Sequence, residues 1–134
     1  MYFAAKINGG LLTVRARLGD LALGTFKLYR ATTAGDLVVI ATDLDPKPDE
    51  ARFDLSEAML AQQLWASLSL RLGIRGLNHT GSSFTVELQV SQGEPLIATD
   101  ADGAALKDQG GGWYDLGMYA SYADHYPRFA VFFR

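Results

Sequence analysis

The chain has 134 residues, 49% of them hydrophobic and 20% charged, a balance that calls for a packed core and excludes a disordered segment. Twelve basic against fifteen acidic residues leave a net charge of −3, which argues against nucleic acid as a partner, because neutralising phosphates needs a basic surface. Cysteine is absent, so disulfides, iron–sulfur clusters and thiolate metal sites are excluded, and no apolar run approaches the length of a membrane span.

Met1 to Lys6 lacks the charged-then-apolar layout of a secretory signal, which favours a cytoplasmic location. Tyr2–Ile7 reads as a first strand, closed by the turn-forming Asn8-Gly9-Gly10. Leu12, Val14, Ala16 and Leu18 then alternate with Thr13, Arg15 and Arg17, the period of a strand with one buried face. Gly24–Arg30 and Leu37–Thr42 continue as strands on either side of Ala34-Gly35-Asp36. The stretch Asp45-Pro46-Lys47-Pro48-Asp49 reads as a surface crossover, since proline cannot donate to a sheet ladder. Ser56 caps the one helix candidate, in which Glu57 and Ala58 to Leu64 are good helix formers. Alternation returns at Leu68, Leu70 and Leu72, and again at Phe84, Val86, Leu88 and Val90. Leu96–Asp100, Trp113–Tyr122 and Arg128–Arg134 complete the strands, separated by Gln92-Gly93-Glu94 and Asp102-Gly103. Short strands punctuated in this way predict an all-β antiparallel β-sandwich forming one domain over 1–134, with at most one short helix. A closed barrel is the alternative.

The chain also contains an internal similarity that predicts two pseudo-symmetric halves, about 11–70 and 71–134. Arg17-Leu18-Gly19 recurs as Arg71-Leu72-Gly73, and Ile40-Ala41-Thr42-Asp43 as Ile97-Ala98-Thr99-Asp100. Thr25-Phe26-Lys27-Leu28 resembles Thr85-Val86-Glu87-Leu88, and Phe53-Asp54-Leu55 resembles Tyr114-Asp115-Leu116. Trp65–Leu72 and Phe129–Arg134 end the two halves. Alternating Leu, Ala and Thr would also generate such matches by chance.

Catalytic groups are sparse. The two histidines are His79 and His125, and a Ser–His–Asp set can be written only on paper from Ser121, His125 and Asp124 or Asp115. No nucleophile elbow, phosphate loop, dinucleotide fingerprint or zinc motif is present, and no cofactor is expected. Asn78-His79-Thr80 fits a glycosylation acceptor, of consequence only in a secreted eukaryotic chain. Asp100-Ala101-Asp102-Gly103 opens like a calcium loop but continues with Ala104, Ala105 and Leu106, which supply no further ligands. Asp43 and Asp45, with Asp49 and Glu50 beyond, lie at the related position of the first half. Joined, Asp43, Asp45, Asp100 and Asp102 would make a weak metal site; taken singly they are turn residues.

The clearest binding signal is aromatic. Gly110-Gly111-Gly112 leads into Trp113 and Tyr114, and three consecutive glycines are most simply explained as giving access to those rings. Strict alternation would place Trp113, Asp115, Gly117 and Tyr119 on one face, and Tyr114, Leu116 and Met118 on the other. Trp113, Tyr114, Asp115 and Tyr119 are therefore the expected ligand-binding residues, the rings stacking on a sugar and the carboxylate accepting its hydroxyl hydrogens. These observations predict a non-catalytic binding or assembly module with a carbohydrate or protein partner. The alternative is a structural protein using the same aromatics as a homo-oligomer or partner interface. An enzyme working through a carboxylate pair ranks third.

Overall fold

The computed structural model describes residues 1–20, 22–32, 34–45, 47–63, 67–78, 83–120 and 124–133. Its strands are β1 (Tyr2–Ala5), β2 (Leu12–Leu18), β3 (Leu23–Ala31), β4 (Leu37–Thr42), β5 (Glu50–Leu55), β6 (Ser67–Asn78), β7 (Ser83–Gln92), β8 (Glu94–Pro95), β9 (Ala98–Thr99), β10 (Tyr114–Ala120) and β11 (Arg128–Phe133). Among the described residues one helix, α1 (Glu57–Gln63), lies between β5 and β6 in the chain. The three strongest alternating segments are all strands, and Leu12, Val14, Ala16, Leu68, Leu70, Leu72, Phe84, Val86, Leu88 and Val90 are buried as their periodicity requires.

The strands form an all-β sandwich. One sheet has the order β4-β3-β6-β11-β1-β9, the other β10-β7-β2-β5 with β8 hydrogen-bonded to β7. Val14 lies opposite both Phe53 and Val90, and Ala16 opposite Leu88, so the second sheet presents a continuous apolar face. That face packs on Leu68, Leu70, Leu72, Phe129 and Val131 of the first sheet, in one buried cluster that also takes in Phe3 and Phe26. Burial of this apolar surface is the main stabilising term.

Connections follow the punctuation of the sequence. The Asp45–Asp49 stretch carries the chain from the edge of one sheet to the edge of the other, and the two sheets are linked there by the Leu44 amide donating to the Arg52 carbonyl. Ser56 caps α1 by accepting the Met59 amide at 3.2 Å, and Leu60 anchors the helix in the core. No helix among the described residues is long and apolar enough to cross a membrane.

Three expectations differ from what is found. β1 pairs with β11 in parallel, so the sandwich is antiparallel except where the first and last strands meet. Strand β5 was not among the predicted strands, although Ala51, Phe53 and Leu55 are buried between Glu50, Arg52 and Asp54. The predicted alignment of halves does not reproduce the pairing: Arg17 and Arg71 lie in different sheets, as do Thr25–Leu28 and Thr85–Leu88. The later matches fall differently. β5 and β10 are the two edges of one sheet, β4 and β9 the two edges of the other, and β6 and β11 are its adjacent centre strands.

Candidate functional site

Strand β10 departs from simple alternation, and this decides which side chains share a face. Tyr114 pairs with Leu88 and Asp115 with Glu87, but Gly117 then pairs with Val86, leaving Leu116 as the extra residue of a β-bulge. The Asp115 carboxylate accepts the Gly117 amide at 2.8 Å and Gly117 takes φ +124°, a value that favours glycine. One inserted residue reverses the side-chain alternation. Tyr119 therefore faces Phe84, its ring 6.1 Å away, on the same side as Tyr114.

The four expected binding residues are thus divided between the two faces of the sheet. Tyr114 is in the core with its ring edge-on to Phe3 at 6.0 Å. Tyr119 is half-buried beside Phe84 and His125, and its hydroxyl donates to the Leu116 carbonyl. Burial raises the Tyr119 pKa above its ordinary value, and the nearby Asp115 charge adds to the rise. Only Trp113 and Asp115 belong to the outer face.

Trp113 is not an open platform. Its ring reaches across β7 to the guanidinium groups of Arg17 at 4.1 Å and Arg15 at 5.4 Å, both from β2, and only 8% of the residue is exposed. These contacts are cation–π interactions on a covered ring. The three glycines are explained by the backbone rather than by access to the rings. Gly110, Gly111 and Gly112 all have positive φ, and a Cβ on Gly112 would stand 2.4 Å from that of Pro95. Asp108 holds the loop by accepting the amides of Gly110 and Gly112, while Gln89 donates to the Gly111 carbonyl.

What remains open is polar. Thr85, Glu87, Gln109 and Asp115 line a cleft of about 180 Å³ on the outer face beside Trp113. Register builds it: Glu50, Arg17, Glu87 and Asp115 stand in one row across β5, β2, β7 and β10. Arg17 donates twice to Glu87 at 3.2 Å, fixing that carboxylate in a bidentate pair. The Gln109 amide donates to the Trp113 carbonyl at 2.7 Å, which fixes the loop side of the cleft. Sequence reasoning found Asp115 but missed Thr85, Glu87 and Gln109. Thr85 and Glu87 were legible as outward residues of an alternating strand, but only the register shows that they face Asp115.

The other candidates are not assembled. Asp43 accepts the amides of Asp45 and Arg52, and Asp100 those of Asp102 and Ala104, so both act as turn residues. They follow β4 and β9, at opposite edges of the six-stranded sheet, so the weak metal site that Asp43, Asp45, Asp100 and Asp102 would make if joined is not assembled. No group of three or more metal-ligating side chains occurs among the described residues. His125 bonds through Nε2 to the Ala120 carbonyl and Asp124 pairs with Arg75, so neither contributes to a triad; Ser121 and His79 lie outside the described residues.

Compared with known proteins, the chain matches no family, no curated protein and no solved structure. The reading of the site therefore rests on its own chemistry.

Proposed function

We propose that the protein is a non-catalytic binding module whose ligand is polyhydroxylated, a saccharide, held in the cleft among Thr85, Glu87, Gln109 and Asp115. The observation that supports this is the convergence of two carboxylates and a hydroxyl of one sheet face with a carboxamide from the adjoining loop. Sugar hydroxyls both donate and accept; the carboxylates accept from them, while Gln109 and Thr85 can do either. A few placed polar groups on a preformed surface are what orient a small ligand. Trp113 enters indirectly. It packs under Arg17, which in turn holds Glu87.

Because the ring of Trp113 is covered, the reading of this surface as an aromatic protein interface loses its anchor. The facing carboxylates of Glu87 and Asp115 keep a hydrolytic reading within reach of the same experiment. A glycan array is probed with the wild type and with the Asp115→Asn and Gln109→Ala variants, and bound glycans are recovered for mass analysis. Retention of a defined subset, lost by about tenfold in either variant and with the glycan intact, is the expected result. Failure to retain any glycan, or recovery of cleaved glycan, would overturn the proposal.

A further inference from the structure

The outer face of the six-stranded sheet differs sharply in charge from the face just described. Its six strands contain no aspartate or glutamate, but they carry Lys27, Arg71, Arg75 and Arg128 at outward positions, while Arg30 stands opposite the buried Leu70. The acidic strand residues Glu50, Asp54, Glu87, Glu94 and Asp115 are all in the other sheet.

On this basic face Arg128 stands directly opposite Arg71 across β11 and β6. Both alternate with buried neighbours and so point outward. Cross-strand partners of this kind lie about 5 Å apart at Cα, where like charges repel. Arg75 is answered by Asp124 at 3.5 Å and by the Tyr126 hydroxyl. Among the described residues Lys27, Arg71 and Arg128 have no ion pair, and the Arg71 Nε is buried without a hydrogen-bond partner. A carboxylate bound between the two guanidinium groups would relieve the repulsion. Beside the arginines a cleft of about 330 Å³ is lined by Tyr2, Ser69, Arg128, Ala130 and Phe132. The rings of Tyr2 and Phe132 have centroids 6.3 Å apart.

We propose that this face docks a short acidic segment of a partner protein, with carboxylates on Arg71 and Arg128 and an apolar side chain in the Tyr2–Phe132 cleft. Charge complementarity selects an anion, and the extent of the face selects a short one. The unpaired cations are few and the chain as a whole is acidic. Charges are screened over about 8 Å at physiological salt, so a segment confined to the surroundings of Arg71 and Arg128, with Asp124 already paired to Arg75, meets net attraction. A long polyanion or a bilayer would extend onto the acidic remainder.

The test is fluorescence anisotropy with a labelled short peptide in which glutamates flank a leucine, set against the same peptide with glutamine for glutamate, oligothymidine, and phosphatidylserine vesicles. The glutamate peptide is expected to bind, more weakly as salt rises, and to lose about tenfold in affinity to Arg128→Gln, a loss matched by the glutamine peptide. Arg128 is exposed, so this variant retains the fold; Arg71→Gln provides a second reading, and Tyr2→Ala should weaken binding without changing its salt dependence. Unchanged affinity in both arginine variants would overturn the proposal. So would binding of oligothymidine or vesicles in preference to the peptide, or a self-association by sedimentation that Arg128→Gln abolishes.

Discussion

Trp113 shows how much and how little one residue reveals before folding. Its position after a glycine run marked it out, but its two arginine partners come from β2, far away in sequence, and nothing local announces them. A ring covered in this way contributes to stability as a core residue does. Trp113→Ala is expected to lower unfolding free energy by about 3 kcal/mol, from lost burial and lost cation–π contact, measured by urea unfolding. A loss below about 1 kcal/mol, the scale of an ordinary surface change, would mean that the ring is not packed as described. Tyr119 makes a second prediction, in pH. Its native pKa lies above the ordinary value of 10.0, so in the window above that value the native state holds a proton that the unfolded chain has released. The stability it supplies is complete below about pH 10 and falls as pH rises through the native value. Thermal melts of wild type and Tyr119→Phe across this window should show the steeper alkaline decline in the wild type. Equal slopes would contradict the assigned burial.

At the scale of elements, the strands were legible wherever one face is buried and the alternation unbroken, as in β2 and β7. β10 was legible as a strand but not as a surface, because the bulge at Leu116 reverses every side chain beyond it. Its cause is visible only in the fold: the Asp115 carboxylate turns back onto the Gly117 amide, and the glycine adopts φ +124°. Gly117→Ala has space, its nearest neighbour being the Tyr119 hydroxyl at 3.6 Å, yet must accept a backbone conformation unsuited to a side chain. A loss of about 2 kcal/mol in unfolding free energy is expected. A neutral substitution would show that the bulge can be shed. β5 was missed although it alternates as cleanly as β2, because Glu50, Arg52 and Asp54 follow a proline-rich crossover and the run is short. At the sheet edge those charges are useful, since they discourage pairing with another chain.

For the whole molecule, the sandwich follows from binary patterning, but the distribution of charge across it does not follow from net charge. The total of −3 hides a six-stranded sheet whose strands carry no carboxylate, back to back with a sheet whose outward positions carry both acids and arginines. Topology also separates the acidic turns that the sequence places at related positions. With Asp43 and Asp100 already accepting backbone amides at opposite edges, neither chelator nor added calcium should shift the melting temperature. A rise with calcium would mean that ligand binding stabilises a native site formed some other way. The claim that matters most is that the outer face of the β10-β7-β2-β5 sheet is the ligand surface. Amide chemical-shift mapping on labelled protein, titrated with a panel of oligosaccharides, addresses it directly. The account predicts saturable shifts centred on Thr85, Glu87, Gln109 and Asp115, with β6 and β11 unmoved; shifts confined to the opposite sheet, or none with any saccharide, would contradict it.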